Sequence, residues 1–296
     1  MAERRLRPSS LIVYLDCPRR WAATQQADLI AAYGYKLQLE RPTHVGACVG
    51  SGVHAGAGYT LAEKRLTGEL GNASEAEDRA VQEMRERMHY GVSWDGTTSD
   101  LTTAQKQVAR MTRSYRAHLA PQIVPMVIEE RLEADIGDGW ILSGQPDTMA
   151  GDPQRDIRDL KTGVRRRANA VQYGAYYILL QAHGYQPVTI NEDFLRRVRM
   201  DKEQPPPESH SAPLALAVAD ALEAVVGAIF LDAGYDAGAE FVLRLFRDAF
   251  GELTEVPNLS NPKGELQELL QATSPQAYRP SIVVRPQMSV RTPPMR

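Results

Sequence analysis

The chain has 296 residues, 43% of them hydrophobic and 24% charged, with a formal net charge of −3. This suits a globular protein with one large core or two modest ones, and the near-neutral charge excludes a molecule that grips nucleic acid over its whole surface, so any such surface must be local. The charged start lacks an apolar signal core, and no stretch approaches the roughly 20 apolar residues that cross a bilayer, so the reading is a cytoplasmic protein with no membrane partner.

In chain order, Ser9–Ala23 reads as an amphipathic helix, with Ser9 or Ser10 as N-cap and Leu11, Tyr14, Leu15 and Trp21 sharing a face. The glycine-rich run Val49-Gly-Ser-Gly-Val-His54 leads into a helix from Ala55 to Leu70, followed by helices at Ser74–Tyr90 and Thr102–Leu119. The pattern then changes. Val124–Ala134, Gly139–Met149 and Asp156–Leu160 read as strands of an antiparallel meander. A helix at Asn169–His183, ended by Gly184, precedes a returning strand at Val188–Val198. Gln204-Pro-Pro-Pro-Glu-Ser forbids regular structure and marks a boundary. Beyond it the expectation is helical, at Ala212–Leu231, Ala237–Phe250 and Lys263–Ala272, with a proline-bearing tail. The expected domains are therefore 1–203, a linker at 204–211, a helical segment at 212–276 and a tail at 277–296.

The chemistry concentrates in Asp147, Asp159 and Lys161. Carboxylates on neighbouring strands supply hard oxygen ligands for a magnesium ion, and such an ion polarises phosphate and lowers the pKa of attacking water. Residues 159 and 161 of one strand point to the same face, so Lys161 can stand beside the ligand, orient water and offset charge developing on phosphate. Asp-x-Lys alone is a weak signal, because alternating charges usually mark a solvated strand face. Its companions carry the weight.

Pro8-Ser-Ser-Leu-Ile-Val-Tyr-Leu-Asp-Cys-Pro-Arg-Arg-Trp21, Gly50-Ser-Gly-Val-His54, Ser143-Gly-Gln-Pro-Asp147, Ile157-Arg-Asp-Leu-Lys-Thr-Gly163 and Gln172-Tyr-Gly-Ala-Tyr176 occur in that order. Over about residues 8–200 the chain thus resembles the RecB-like and phage-exonuclease branch of the PD-(D/E)XK nuclease superfamily. The resemblance implies an α/β fold of the α+β kind, with a mixed central β-sheet flanked by helices, here with an all-helical C-terminal extension. It implies Asp147 and Asp159 as metal-binding carboxylates, Lys161 as the catalytic lysine, His54 as a metal-reaching histidine, and contacts from Gln172 and Tyr176 to the active site or DNA. Read without it, His54 is a capping or core histidine, and Gln172 and Tyr176, four apart, are the polar edge of a packed helix. Glu130, on the preceding strand, is either an assistant or a solvated side chain. Arg165, Arg166 and Arg167 are equally a phosphate grip or a solvated charge run. Some relatives hold an iron–sulfur cluster with one early and three late cysteines. Cys17 is early but nothing follows Cys48, so no cluster is expected, and Cys17 reads as a small buried residue.

A second resemblance covers about residues 212–276. Ala219-Asp220-Ala-Leu-Glu223 with its continuation to Gly234, and Asn261-Pro-Lys-Gly-Glu-Leu-Gln-Glu-Leu-Leu-Gln271, are similar to the later helices of the ribonuclease III catalytic domain. Asp220 and Glu223 match that family's later magnesium-ligand pair, and the family's dimerisation implies pairing of two copies through these helices. The earlier carboxylate pair is missing: Glu130-Arg-Leu-Glu133-Ala-Asp-Ile-Gly-Asp138 has one residue too many and falls in strand. The leading expectation is a magnesium- or manganese-dependent nuclease acting on DNA single strands or duplex ends. The alternatives are a ribonuclease III-like protein acting on duplex RNA through Asp220 and Glu223, and a non-catalytic nucleic-acid-binding or assembly module.

Overall fold

The computed structural model describes residues 4–16, 21, 42–89, 91–137, 139–166, 170–212 and 214–250. The expectations for Cys17, Arg167, the helix at 263–272 and the tail at 277–296 fall outside them. The chain forms two compact units, Met1–Arg244 and Leu245–Arg296. The first holds everything below except the end of the last helix.

The elements run β1 (Arg4–Leu6), α1 (Pro8–Asp16), β2 (Thr43–His44), α2 (Val45–Thr67), α3 (Ala73–Arg87), β3 (Val92–Ser93), α4 (Leu101–His118), a 3-10 turn (Ala120–Gln122), β4 (Pro125–Ile128), β5 (Leu132–Gly137), β6 (Trp140–Gly144), β7 (Thr148–Ala150), β8 (Asp156–Gly163), α5 (Ala170–Ala182), β9 (Thr189–Arg196), β10 (Glu208–Ala212), α6 (Leu214–Ala233) and α7 (Tyr235–Phe250). The central sheet has the order β10-β9-β8-β7-β4. Only its β8–β9 pair is parallel, joined by the crossover helix α5, as parallel neighbours require. A smaller sheet has the order β1-β6-β5.

Strand parity divides the core in two. On β8, Ile157 faces one apolar cluster, shared with Tyr173 and Leu179 of α5 and Ala221 and Ala228 of α6. Leu160 faces the other, shared with Val49 and Val53 of α2 and Val108 and Met111 of α4. The sheet is thus a layer between helices, the mixed architecture expected from sequence. On the α2 side, a part-buried Arg158 donates to the buried Asp193 at 2.8 and 2.9 Å and to the buried Asp156 at 3.0 Å, which offsets charges that would otherwise be costly to bury. Among the described residues no helix is long and apolar enough to cross a membrane.

Several expected boundaries move, each for a tertiary reason. The glycine-rich run 49–54 is not a lead-in but the interior of α2, which starts at Val45 with the His44 imidazole accepting from Gly46 N at 3.0 Å. Glycine disfavours a helix by about 1 kcal/mol per residue, and close packing offsets it. A Cβ on Gly52 would stand 2.4 Å from the Ala80 carbonyl oxygen of α3, so only glycine lets these helices cross. The single strands expected at 124–134 and 139–149 each break into two. Glu129, at φ 48°, turns the chain out of β4, so that β5 and β6 form a hairpin in the smaller sheet while β4, β7 and β8 remain antiparallel neighbours. The proline-rich segment taken as a linker at 204–211 ends in β10, because Glu208–Ala212 pairs antiparallel with β9 and extends the sheet. The helix α6, placed beyond a boundary by sequence, shares the core of the first unit.

Candidate active site

β7 ends its pairing with β8 at Thr148 opposite Arg158. The next unpaired amide of β8, that of Leu160, donates to Asp147 Oδ2 at 2.7 Å, so the Asp147 carboxylate occupies the ladder position that the departing strand leaves. Its other oxygen, Oδ1, lies 3.3 Å from His54 Nδ1, and that nitrogen is also 3.3 Å from Glu129 Oε1. Glu129 is held in turn: its amide donates to the Asp147 carbonyl at 3.0 Å, and its Oε2 accepts from Gln145 Nε2 at 2.9 Å. Helix α2 brings His54 to this point on a face of small residues. A Cβ on Gly50 would stand 2.6 Å from Thr162 Oγ1, which measures how closely α2 approaches the end of β8.

On the other face of β8, Lys161 Nζ stands 2.5 Å from Asp159 Oδ2 and donates to Gln172 Oε1 at 3.2 Å. The Gln172 amide donates to the Tyr176 hydroxyl at 2.7 Å. Their four-residue spacing on α5 therefore builds a chain that holds the lysine. His54, Glu129, Lys161 and Thr162 line an open cleft of about 790 Å³.

A family model described as the PD-(D/E)XK nuclease superfamily matches residues 5–255. The chain belongs to that superfamily. Within the nuclease, a segment also aligns with curated relatives of another kind. It is 51% identical to ribonuclease 3 of Alkalilimnicola ehrlichii over 55 residues, covering 19% of this chain and 24% of that protein. It is 47% identical to ribonuclease 3 of Pseudomonas putida strain GB-1 over 66 residues, covering 22% and 29%. The chain thus spans 24% to 29% of the length of these relatives. A solved structure, that of SSO0001, aligns at 10% identity with a TM-score of 0.27, covering 66% of this chain and 81% of its own.

PD-(D/E)XK nucleases use divalent metals, and the donor set of this one fits such an ion. One ligand atom from each of His54, Glu129 and Asp147 lies within 4.8 Å of the others. Asp159 is 1% exposed, and among the described residues its Oδ1 has no hydrogen-bond partner, an orphaned buried oxygen of the kind a cation satisfies. The electrostatics agree. Burial opposes charge on His54, but Asp147 and then Glu129 more than offset it and hold the imidazole well above its ordinary value. Burial also raises Asp147, yet His54 and Lys161 together hold it below the usual carboxylate range. Burial and then the Asp147 charge push Asp159 up to about 6, in spite of Lys161. The site concentrates negative charge beyond what its own cations balance.

Of the residues singled out by sequence, the nuclease brings together His54, Asp147, Asp159, Lys161, Gln172 and Tyr176. Glu130 is exposed, and its neighbour Glu129 faces the site. Counting in twos from the buried Val127 reaches Glu129, and this alternation was the available signal. Arg165 is exposed, whereas Arg166 is engaged by the buried Glu192. Asp220 and Glu223 are exposed on α6, and among the described residues they join no third ligand within metal-binding distance.

Proposed function

We propose that this chain hydrolyses phosphodiester bonds of DNA at single strands or duplex ends, in an exonuclease-like manner, using magnesium or manganese held by His54, Glu129, Asp147 and Asp159. The observation that carries this reading is the convergence of side chains from α2, the turn after β4, the turn before β7 and β8 on one open cleft. Bound there, the cation supplies polarisation of the phosphate and a lowered pKa for the attacking water.

The chain's own residues do the positioning. Gln172 and Tyr176 fix the Lys161 ammonium, which is 27% exposed and so reaches the cleft, where it orients water and offsets charge on the phosphate. The Leu160 amide anchors Asp147 with one oxygen toward His54. Gln145 orients Glu129. Arg165, exposed just after β8, supplies a phosphate contact. The helices α6 and α7 serve as packing elements of the nuclease rather than as a second catalytic centre, because the buried face of α6 lies in the shared core while Asp220 and Glu223 point outward.

The test is cleavage of labelled single-stranded DNA, duplex DNA and duplex RNA with magnesium, with manganese and with EDTA. Asp147→Ala and Lys161→Ala are each expected to lose at least about 100-fold in rate. Asp220→Ala and Glu223→Ala are expected to stay within about two-fold, as for surface changes elsewhere. Duplex-RNA cleavage lost only in Glu223→Ala would move the activity to the ribonuclease III-like segment. Metal-independent binding without cleavage of any substrate would leave an assembly module.

A further inference from the structure

Glu192 lies outside every motif considered so far. It is fully buried and stands beside Asp159 in the parallel register of β9 on β8, with both side chains toward α5. The hydroxyl of Tyr173, also buried, sits between the two carboxylates. It is in short hydrogen-bond contact with Glu192 Oε2 and 3.4 Å from Asp159 Oδ2. A phenol has one proton to donate. The nearer acceptor, Glu192, takes it, and Asp159 is left facing the phenolic oxygen. The second oxygen of Glu192 accepts from Arg166 Nε. Asp159 Oδ2 is left with the Lys161 ammonium, and Oδ1, which Tyr173 does not reach, has no partner among the described residues.

We propose that Glu192 is a positioning residue of the metal site: by taking the Tyr173 proton, it spares Asp159 Oδ2 a further hydrogen bond and so leaves the charge of that carboxylate for a divalent cation at its unpartnered Oδ1. The proposal rests on the nuclease reading above. Arg166 sets the direction of the chain of bonds. It demands an acceptor on its side of residue 192, so an amide at this position turns its oxygen to Arg166 and its NH2 to Tyr173. The phenol then has a donor where Glu192 offered an acceptor, and its own proton is left for Asp159. An isosteric change two side chains away thus places a hydrogen bond on the carboxylate that the cation needs.

The experiment is a manganese titration of the full chain, followed by calorimetry and by thermal shift at one pH, for wild type, Glu192→Gln, Tyr173→Phe, the double variant and Asp147→Ala. Glu192→Gln is expected to weaken manganese binding about ten-fold, the scale at which outer partners tune a ligand. Tyr173→Phe alone is expected to stay within about two-fold of wild type, and the double variant to bind like wild type, a coupling that independent effects do not produce. Unchanged binding in Glu192→Gln overturns the proposal, as does a double variant no tighter than Glu192→Gln. Tyr173→Phe stands on its own if Glu192→Gln does not fold. A large gain in affinity there shows that the proton already rests on Asp159, and a large loss shows that the hydroxyl supports the cation. Either outcome overturns the proposal. If Asp147→Ala loses manganese while Glu192→Gln keeps it, only this inference fails. A wild type that binds no manganese removes the nuclease reading as well.

Discussion

Asp159→Asn is expected to lose cleavage on the order of 1,000-fold or more while the metal-free protein becomes harder to unfold at pH 8. The two effects have one cause. Burial and the neighbouring Asp147 push the Asp159 carboxyl up to about 6 from an ordinary 3.8. A carboxyl whose folded-state pKa is raised contributes its full stability only below the unfolded value. That contribution is lost as pH climbs from about 4 through about 6, because the native state then gives up a proton that it binds more tightly than the unfolded chain does. At about 1.4 kcal/mol per unit, the loss is on the order of 3 kcal/mol. Asparagine imitates the protonated side chain and removes that cost, but it no longer offers an anionic oxygen to a cation. Thermal unfolding in EDTA should therefore show Asp159→Asn above wild type at pH 8 and level with it near pH 4. In wild type, manganese should recover stability at pH 8, and in Asp159→Asn it should do so much less. Cleavage within ten-fold of wild type would remove Asp159 from the chemistry. A lower melting temperature at pH 8 would show that the Lys161 ion pair outweighs the burial cost.

The second large effect is structural. Gly174→Val is expected to destabilise the protein by about 3 kcal/mol or more. A Cβ at Gly174 would stand 1.8 Å from the Ala217 carbonyl oxygen and 2.6 Å from the Ala221 Cβ. The obstacle is the backbone of α6, not a side chain that can rotate away, so α5 and α6 must separate and open the core they share. For a unit of this size the change corresponds to a fall in melting temperature of about 10 °C. Gly96→Ala, with nothing within 4 Å of the added atom, is the matched control and should change stability by less than about 0.5 kcal/mol. A tolerated Gly174→Val would mean that α6 does not depend on α5, and that the division near residue 204 drawn from proline content describes the molecule better than a shared core does.

Much of the site was legible because its spacings are properties of local backbone. Residues 159 and 161 share a face in any strand, and residues 172 and 176 share one in any helix. Those two periodicities placed Asp159 with Lys161 and Gln172 with Tyr176 before any tertiary contact was known. The chain order of the segments around His54, Asp147 and Asp159 did the rest, and a family model over residues 5–255 agrees with it.

What remained hidden depended on where strands end and what they meet. Glu129 rather than Glu130 reaches His54 because the chain leaves β4 at Glu129 with a positive φ, a turn imposed by the transfer of β5 and β6 to another sheet. The glycines of α2 read as a lead-in to the helix because their helix cost is local, whereas the close crossing that offsets it involves α3, further along the chain. Glu192 looks like the middle of a polar run, Asn191-Glu-Asp193, until the parallel register sets it beside Asp159 and under Tyr173. The sequence by itself determined the residue types, their order and the face each takes within its own element. Tertiary structure alone decided which oxygens surround His54, which hydroxyl stands between Asp159 and Glu192, and that α6 closes the core. Those outcomes rest on register and close approach between segments far apart in the chain, to which local periodicity is blind.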